Sequence, residues 1–164
     1  MKNLILIRHA KSSWENSELS DKERPLNKRG FEDSPFMGEI LNKKKVKIDK
    51  IFSSSAIRAR QTIELIAKKI NYPIEKIVFD DRLYHASRRD LINFITEIDN
   101  NYETIALVGH NPGLSDLASY LLDDFNDDLP TCSILAISGN CQSWRDFPRS
   151  EKKLLFYLYP KKFK

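Results

Sequence analysis

The sequence predicts an α/β domain, a three-layer α/β/α sandwich around a mainly parallel central sheet. Two observations carry this prediction. Short apolar runs of strand length alternate with amphipathic stretches at helical spacing. Two of the runs, Leu4-Ile5-Leu6-Ile7 and Ile105-Ala106-Leu107-Val108, show no polar alternation. A strand that is apolar at every position has both faces covered, as in a sheet held between helices.

The strand runs are Asn3–Ile7, Asp49–Phe52, Lys76–Phe79, Thr104–Val108, Ser133–Ile137 and Leu154–Tyr159, the last stopped by Pro160. Between them, Ser34-Pro35 reads as an N-cap followed by a first-turn proline, opening a helix to about Leu41. In Ala56–Ile70, the residues Ile63, Ile66, Ala67 and Ile70 share a face. Ser87–Ile98 repeats the pattern with Leu91, Phe94, Ile95 and Ile98, and Pro112–Leu122 with Leu114, Leu117, Ala118 and Leu121. The 164 residues contain no repeat, linker or low-complexity stretch, so 1–164 is read as one domain.

Composition excludes several classes. No run approaches the roughly 18 apolar residues of a membrane span. The N-terminus has too short an apolar stretch for a secretory signal and reads as a mature cytosolic start, giving a cytoplasmic expectation. The net charge of +4 suits an anionic ligand, but no basic-aromatic signature of nucleic-acid binding is present. Two cysteines make no disulfide framework, and three dispersed histidines lack metal-ligand spacing, so neither metal nor cofactor is expected. The acidic stretch Asp123–Asp128 lacks the spacing, glycine and final glutamate of a calcium loop. Cys132 is followed six positions on by Ser138 and Cys141 by Phe147, so the Cys-x5-Arg loop of cysteine phosphatases is absent. No Gly-x4-Gly-Lys phosphate loop occurs either.

The informative residues fall where strands end. The first strand runs into Arg8-His9, the second into Ser53-Ser54-Ser55 with Arg58 just inside the following helix, and the fourth into Gly109-His110-Asn111-Pro112-Gly113. Ligands of open α/β sheets bind beyond the carboxyl ends of the strands. Parallel neighbouring strands would therefore bring Arg8, His9, Arg58 and His110 together. Arg58 and Arg60 also defy a local rule, since a cation at a helix N-terminus costs roughly 0.3–1 kcal/mol. A bound dianion would reverse that sign. Each element alone reads equally well as a turn or as a solvated side chain; their conjunction suggests an anion pocket.

The blocks Arg8-His9-Ala10-Lys11-Ser12, Arg24-Pro25-Leu26-Asn27-Lys28-Arg29-Gly30, Ser53–Thr62 with Arg58, and Val108-Gly109-His110-Asn111-Pro112 occur in an order that resembles the histidine phosphatase, or phosphoglycerate mutase-like, superfamily. Ala10 after His9, the Arg24-Pro25-Leu26 segment and the short length are most similar to the small SixA-type phosphohistidine phosphatases. The resemblance implies a catalytic set of His9 as nucleophile with Arg8, Arg58 and His110 around the phosphate, and Ser12 as a further phosphate contact. It also implies a phosphorylated protein as partner, with a histidine phosphotransfer domain as the implied target. Two neighbouring arginines should keep the His9 imidazole neutral by repulsion, and its second ring nitrogen should be fixed by a backbone carbonyl.

Tyr84 stands where many members of the superfamily carry a glutamate general acid, which leaves Tyr84, His85 and Asp81 as candidate proton donors or rim residues. An imidazole leaving group tolerates the absence of an acid far better than an alkoxide does. Two other functions stay open: a phosphatase for small phosphate esters, and a weakly catalytic domain that binds phosphoproteins. Arg24 is read as either steering a partner or bracing the pocket, and Trp14 as a rim residue. Short loops suggest an uncovered, shallow pocket, and a monomer is the default state.

Overall fold

The computed structural model describes residues 1–164. Its central sheet has six strands: β1 (Lys2–Arg8), β2 (Lys50–Ser54), β3 (Val78–Asp80), β4 (Thr104–Gly109), β5 (Ile134–Gly139) and β6 (Lys152–Leu158), in the order β3-β2-β4-β1-β5-β6. Strands β3, β2, β4 and β1 run parallel; β5 alone runs against its neighbours. The two uninterrupted apolar strands, β1 and β4, lie side by side in the middle, where the sheet has no free edge and both faces need covering.

Helices α1 (Lys28–Lys43), α2 (Ile57–Lys69), α3 (Arg88–Thr96) and α4 (Gly113–Leu121) supply that cover. Because side chains alternate along a strand, Leu4 and Leu6 of β1 point into one core while Ile5 and Ile7 point into the other. The first core holds Leu91, Phe94 and Ile95 of α3 with Leu114 and Leu117 of α4, closed by Trp144 and Phe147. The second holds Met37 and Leu41 of α1 with Ile63 and Ile66 of α2. The three-layer sandwich follows directly from this alternation.

Some boundaries differ from the sequence reading. The first helix begins at Lys28, not at Ser34-Pro35, because Asn27 is the cap: its side chain accepts from the Gly30 N–H at 2.9 Å. Pro35 lies inside that helix and leaves the Phe31 carbonyl without its usual donor. Ser34, buried, is no cap; its hydroxyl donates back to the Gly30 carbonyl at 2.7 Å. The third strand covers Val78–Asp80, since Ile74–Lys76 winds into a 3-10 turn behind Pro73.

Candidate active site

Parallel register places the site. Arg8 pairs with Gly109 across β1 and β4, so the residues that follow, His9 and His110, leave the sheet as neighbours. Their ring centroids are 5.1 Å apart. Strand β2 flanks β4 on the other side and delivers Ser54 and, at the start of α2, Arg58. Arg58 reaches between the imidazoles: its Nε donates to His9 Nε2 and its Nη2 to His110 Nδ1, each at 3.4 Å. The four residues expected to converge therefore include three in direct contact.

The fourth, Arg8, is held by the Leu129 carbonyl, which accepts from Nη1 at 2.7 Å. Its Nε is buried and has no hydrogen-bond partner. A buried donor left unpaired costs on the order of 1–3 kcal/mol. Leu129 is itself anchored, its N–H donating to Ser115 Oγ at 2.9 Å and its carbonyl accepting from Asn111.

Both histidines are neutral. His9, 7 % exposed, has a pKa pushed down to about 3. Burial is the largest cause; repulsion from Arg58, Arg8 and Arg24 adds to it, while a bond to the Ala10 carbonyl opposes it. The repulsion argued from sequence is present but ranks second to desolvation. His9 Nδ1 lies 2.7 Å from the Ala10 carbonyl oxygen, which requires the proton there and leaves the lone pair on Nε2. His110 is likewise pushed down to about 3, first by burial and then by His9, Arg58 and His85. Arg58 can only donate, so Nδ1 carries the lone pair and the proton sits on Nε2, 2.7 Å from the Ser54 Oγ that accepts it. A dianion in the pocket would offset that burial and the surrounding positive charge and so favour the charged ring.

Thr62 locks the loop after His9 to α2, accepting from the Ala10 N–H at 2.9 Å and donating to the Arg58 carbonyl at 2.7 Å.

The expected open pocket needs correction. Residues 9–27 fold back over the site, and their 3-10 turn, Asp21–Glu23, lies against Arg58. Arg58 Nη1 donates to the Asp21 carbonyl at 2.6 Å and Nη2 to its carboxylate at 2.9 Å. The same carboxylate oxygen accepts from Tyr84 Oη at 2.6 Å and pairs with His85 Nε2 at 3.0 Å. Its other oxygen accepts from Arg24 Nη1 at 2.9 Å. Partial burial alone would raise the Asp21 pKa, but bonds from Tyr84, Arg58, His85 and Arg24 outweigh it and hold the acid well below the usual carboxylate range. Sequence reasoning missed Asp21. Its signal was Ser20 followed three residues later by Glu23, the spacing of a capping box, which marks an ordered turn at that point.

Arg24 braces the pocket. It donates to Ser12 Oγ, to the Ser13 carbonyl and to Asp21, and its guanidinium stacks on Trp14 at 3.3 Å from the ring centre. Ser12 thus meets Arg24, and Trp14 forms the rim. Tyr84 stands edge-on to His110 at 5.4 Å, and His85 stacks on it at 5.6 Å. His85 adopts a left-handed backbone, φ 54°, that few residues other than glycine enter. Gly113 leaves room for that loop, since a Cβ there would collide with the Ala86 carbonyl. Asp81, the third candidate donor, is taken up by Lys22 at 2.9 Å and by Ser55, with no contact to either pocket histidine. Arg60 stacks over Phe79 outside the pocket.

Comparison with known proteins finds a family and a shared fold. A family model for the histidine phosphatase superfamily, branch 1, matches residues 4–85. An uncharacterised chloroplast protein of Arabidopsis thaliana is 31 % identical over 153 residues, spanning 88 % of this chain and 70 % of its own. Two solved structures share the fold. One is a protein of Agrobacterium tumefaciens assigned as the phosphohistidine phosphatase SixA, with TM-score 0.83, 24 % identity and coverage of 97 % of this chain and 98 % of the other. The other is the protein histidine phosphatase SixA with bound tungstate, with TM-score 0.83, 19 % identity and 99 % coverage of both chains.

Proposed function

We propose that this chain, which belongs to the histidine phosphatase superfamily, hydrolyses protein phosphohistidine through a phosphorylated His9. The observation that carries this reading is the state of His9: a neutral ring, its proton fixed by the Ala10 carbonyl, its unprotonated Nε2 accepting from Arg58 Nε at 3.4 Å.

The chemistry divides between nucleophile and electrostatics. His9 Nε2 attacks phosphorus in line, and the N–P bond of the substrate breaks as the new one forms. In such a transfer charge spreads over three equatorial oxygens, and fixed cations aimed at them supply most of the catalysis. Arg58 and Arg8 offer planar forks suited to those oxygens. The dianion also favours protonated His110, which then adds a donor. Water attacks phospho-His9 in the second step and releases inorganic phosphate.

The leaving group supports phosphohistidine. A general acid is typically worth about 10²–10⁴ in rate. The carboxyl nearest the pocket, Asp21, is held ionised by its donors and has no proton to give. A phosphohistidine already protonated on its other ring nitrogen releases neutral imidazole, whose conjugate acid has a pKa of about 6.5, with no proton delivered to the breaking bond; an alkoxide has no such route. The partner proposed is therefore a phosphorylated protein, with a histidine phosphotransfer domain as the implied type. A small-ester phosphatase is the second reading, and its support is the Tyr84 hydroxyl and the His85 ring at the pocket edge.

The test is turnover on a phosphohistidine-bearing phosphotransfer protein beside a broad panel of phosphate esters. Preference for the phosphoramidate, with transient labelling at His9, is expected. Faster turnover of esters transfers the assignment to the second reading. Phosphate binding with no turnover on any substrate would make the chain a phosphoprotein-binding domain.

A further inference from the structure

We propose that Asp21 is a specificity-determining residue: its carboxylate is the resident counter-anion of the phosphate pocket, which an incoming phosphoryl group must displace from Arg58 and which prevents retention of free phosphate. The inference rests on the phosphatase reading above.

Arg58 is the central cation, and Asp21 engages it twice, through its backbone carbonyl and through its carboxylate. The remaining directed contacts of Arg58 go to His9 and His110. Arg24 is turned to Asp21 as well. Without the Asp21 carboxylate, Arg58 Nη2 and Arg24 Nη1 would lose their acidic acceptor and stand ready for an entering anion. Such a pocket binds the product as readily as the substrate, and uniform binding of that kind does not raise turnover. A tethered carboxylate that returns to the same guanidinium competes with a bound dianion, so the product leaves more easily.

The arrangement also allows the exchange. The Asp21 side chain is 39 % exposed, whereas Arg58 is buried, so the acid can turn toward water while the cation stays. The neighbouring Lys22–Asp81 pair at 2.9 Å keeps the turn anchored at the rim during that movement. Tyr84 and His85, which now donate to or pair with Asp21, are then released toward the entering group.

Calorimetric titration with inorganic phosphate and with tungstate tests this on the full chain. Asp21→Asn and Asp21→Ser should each bind both anions at least about tenfold tighter than the unmodified protein. Steady-state kinetics should show stronger inhibition by phosphate and a lower KM, with no gain in kcat. A variant that had merely lost a structural contact would bind phosphate equally or more weakly, and that result in both variants overturns the inference. In the unmodified protein, saturating phosphate should shift the His85 ring resonances as its Asp21 contact breaks; unmoved resonances at full occupancy also overturn it. Failure of every form, including the unmodified one, to bind either anion would instead remove the phosphate-site reading on which the inference depends.

Discussion

Arg58 Nε donates to Nε2 of His9 across 3.4 Å, so the cation that would hold the phosphate already lies against the atom that would attack it. Arg58 adds to the burial that keeps the ring neutral, while the Ala10 carbonyl fixes which nitrogen carries the lone pair. Arg58→Lys keeps the charge but loses the fork that spans His9, His110 and Asp21. We expect kcat/KM to fall by about 10²–10³, in the range for losing a preorganised donor. Urea unfolding run beside the kinetics will show whether stability has changed far less than activity.

His9→Ala removes the only group assigned to carry the phosphoryl. No label should be recovered on the variant after incubation with a phosphoryl-labelled substrate and acid-free quenching. Label that persists would move the nucleophile to another residue.

Ser54→Ala leaves the Nε2–H of His110, which now meets the Ser54 hydroxyl at 2.7 Å, without a partner inside the protein. An unpaired buried donor costs about 1–3 kcal/mol, so the denaturation midpoint should drop accordingly. Activity should drop too, because the ring loses the bond that fixes its tautomer. A variant with unchanged midpoint and rate would contradict the orienting role.

Stability should decline as the solution is acidified from neutrality. His9 and His110 have folded-state pKa values lowered to about 3, against roughly 6.5 in the unfolded chain. The unfolded state therefore binds protons that the folded state does not. Their contribution is complete above about pH 6.5 and is lost progressively as pH falls from there toward 3. Each group gives a slope approaching about 1.4 kcal/mol per pH unit within that window. Thermal unfolding between pH 7 and pH 4.5 checks this, and His110→Gln should flatten the dependence.

Much of the site was legible because strand ends are legible. Continuous apolar runs located β1 and β4, and their parallel pairing fixed His9 beside His110 once both were recognised as strand-terminal. Arg58 stood at a helix N-terminus, where a cation is unfavourable without an anion, but so did Arg60, and only the conjunction with the strand-terminal histidines favoured Arg58. Asp21 was not legible, since its bonds to Arg58, Tyr84 and His85 are long-range contacts that no local periodicity encodes. The start of α1 was misjudged for a related reason. Ser34-Pro35 carries a strong local start signal, yet Asn27 caps the helix seven residues earlier and packing of Met37 and Leu41 tolerates the proline. Burial, the main reason that His9 is neutral, likewise belongs to the assembled fold and not to neighbouring charges alone.

The two tryptophans occupy opposite extremes of this molecule. Trp14 is 74 % exposed and stacked on Arg24 at the rim, while Trp144 is fully enclosed in the core beneath α3. Their emission should therefore come from distinct environments, the first red-shifted and open to iodide quenching, the second blue-shifted and shielded. A single fluorescence experiment can thus separate rearrangement of the segment around Asp21 from global melting, with the substitution Trp14→Phe assigning each signal to its source.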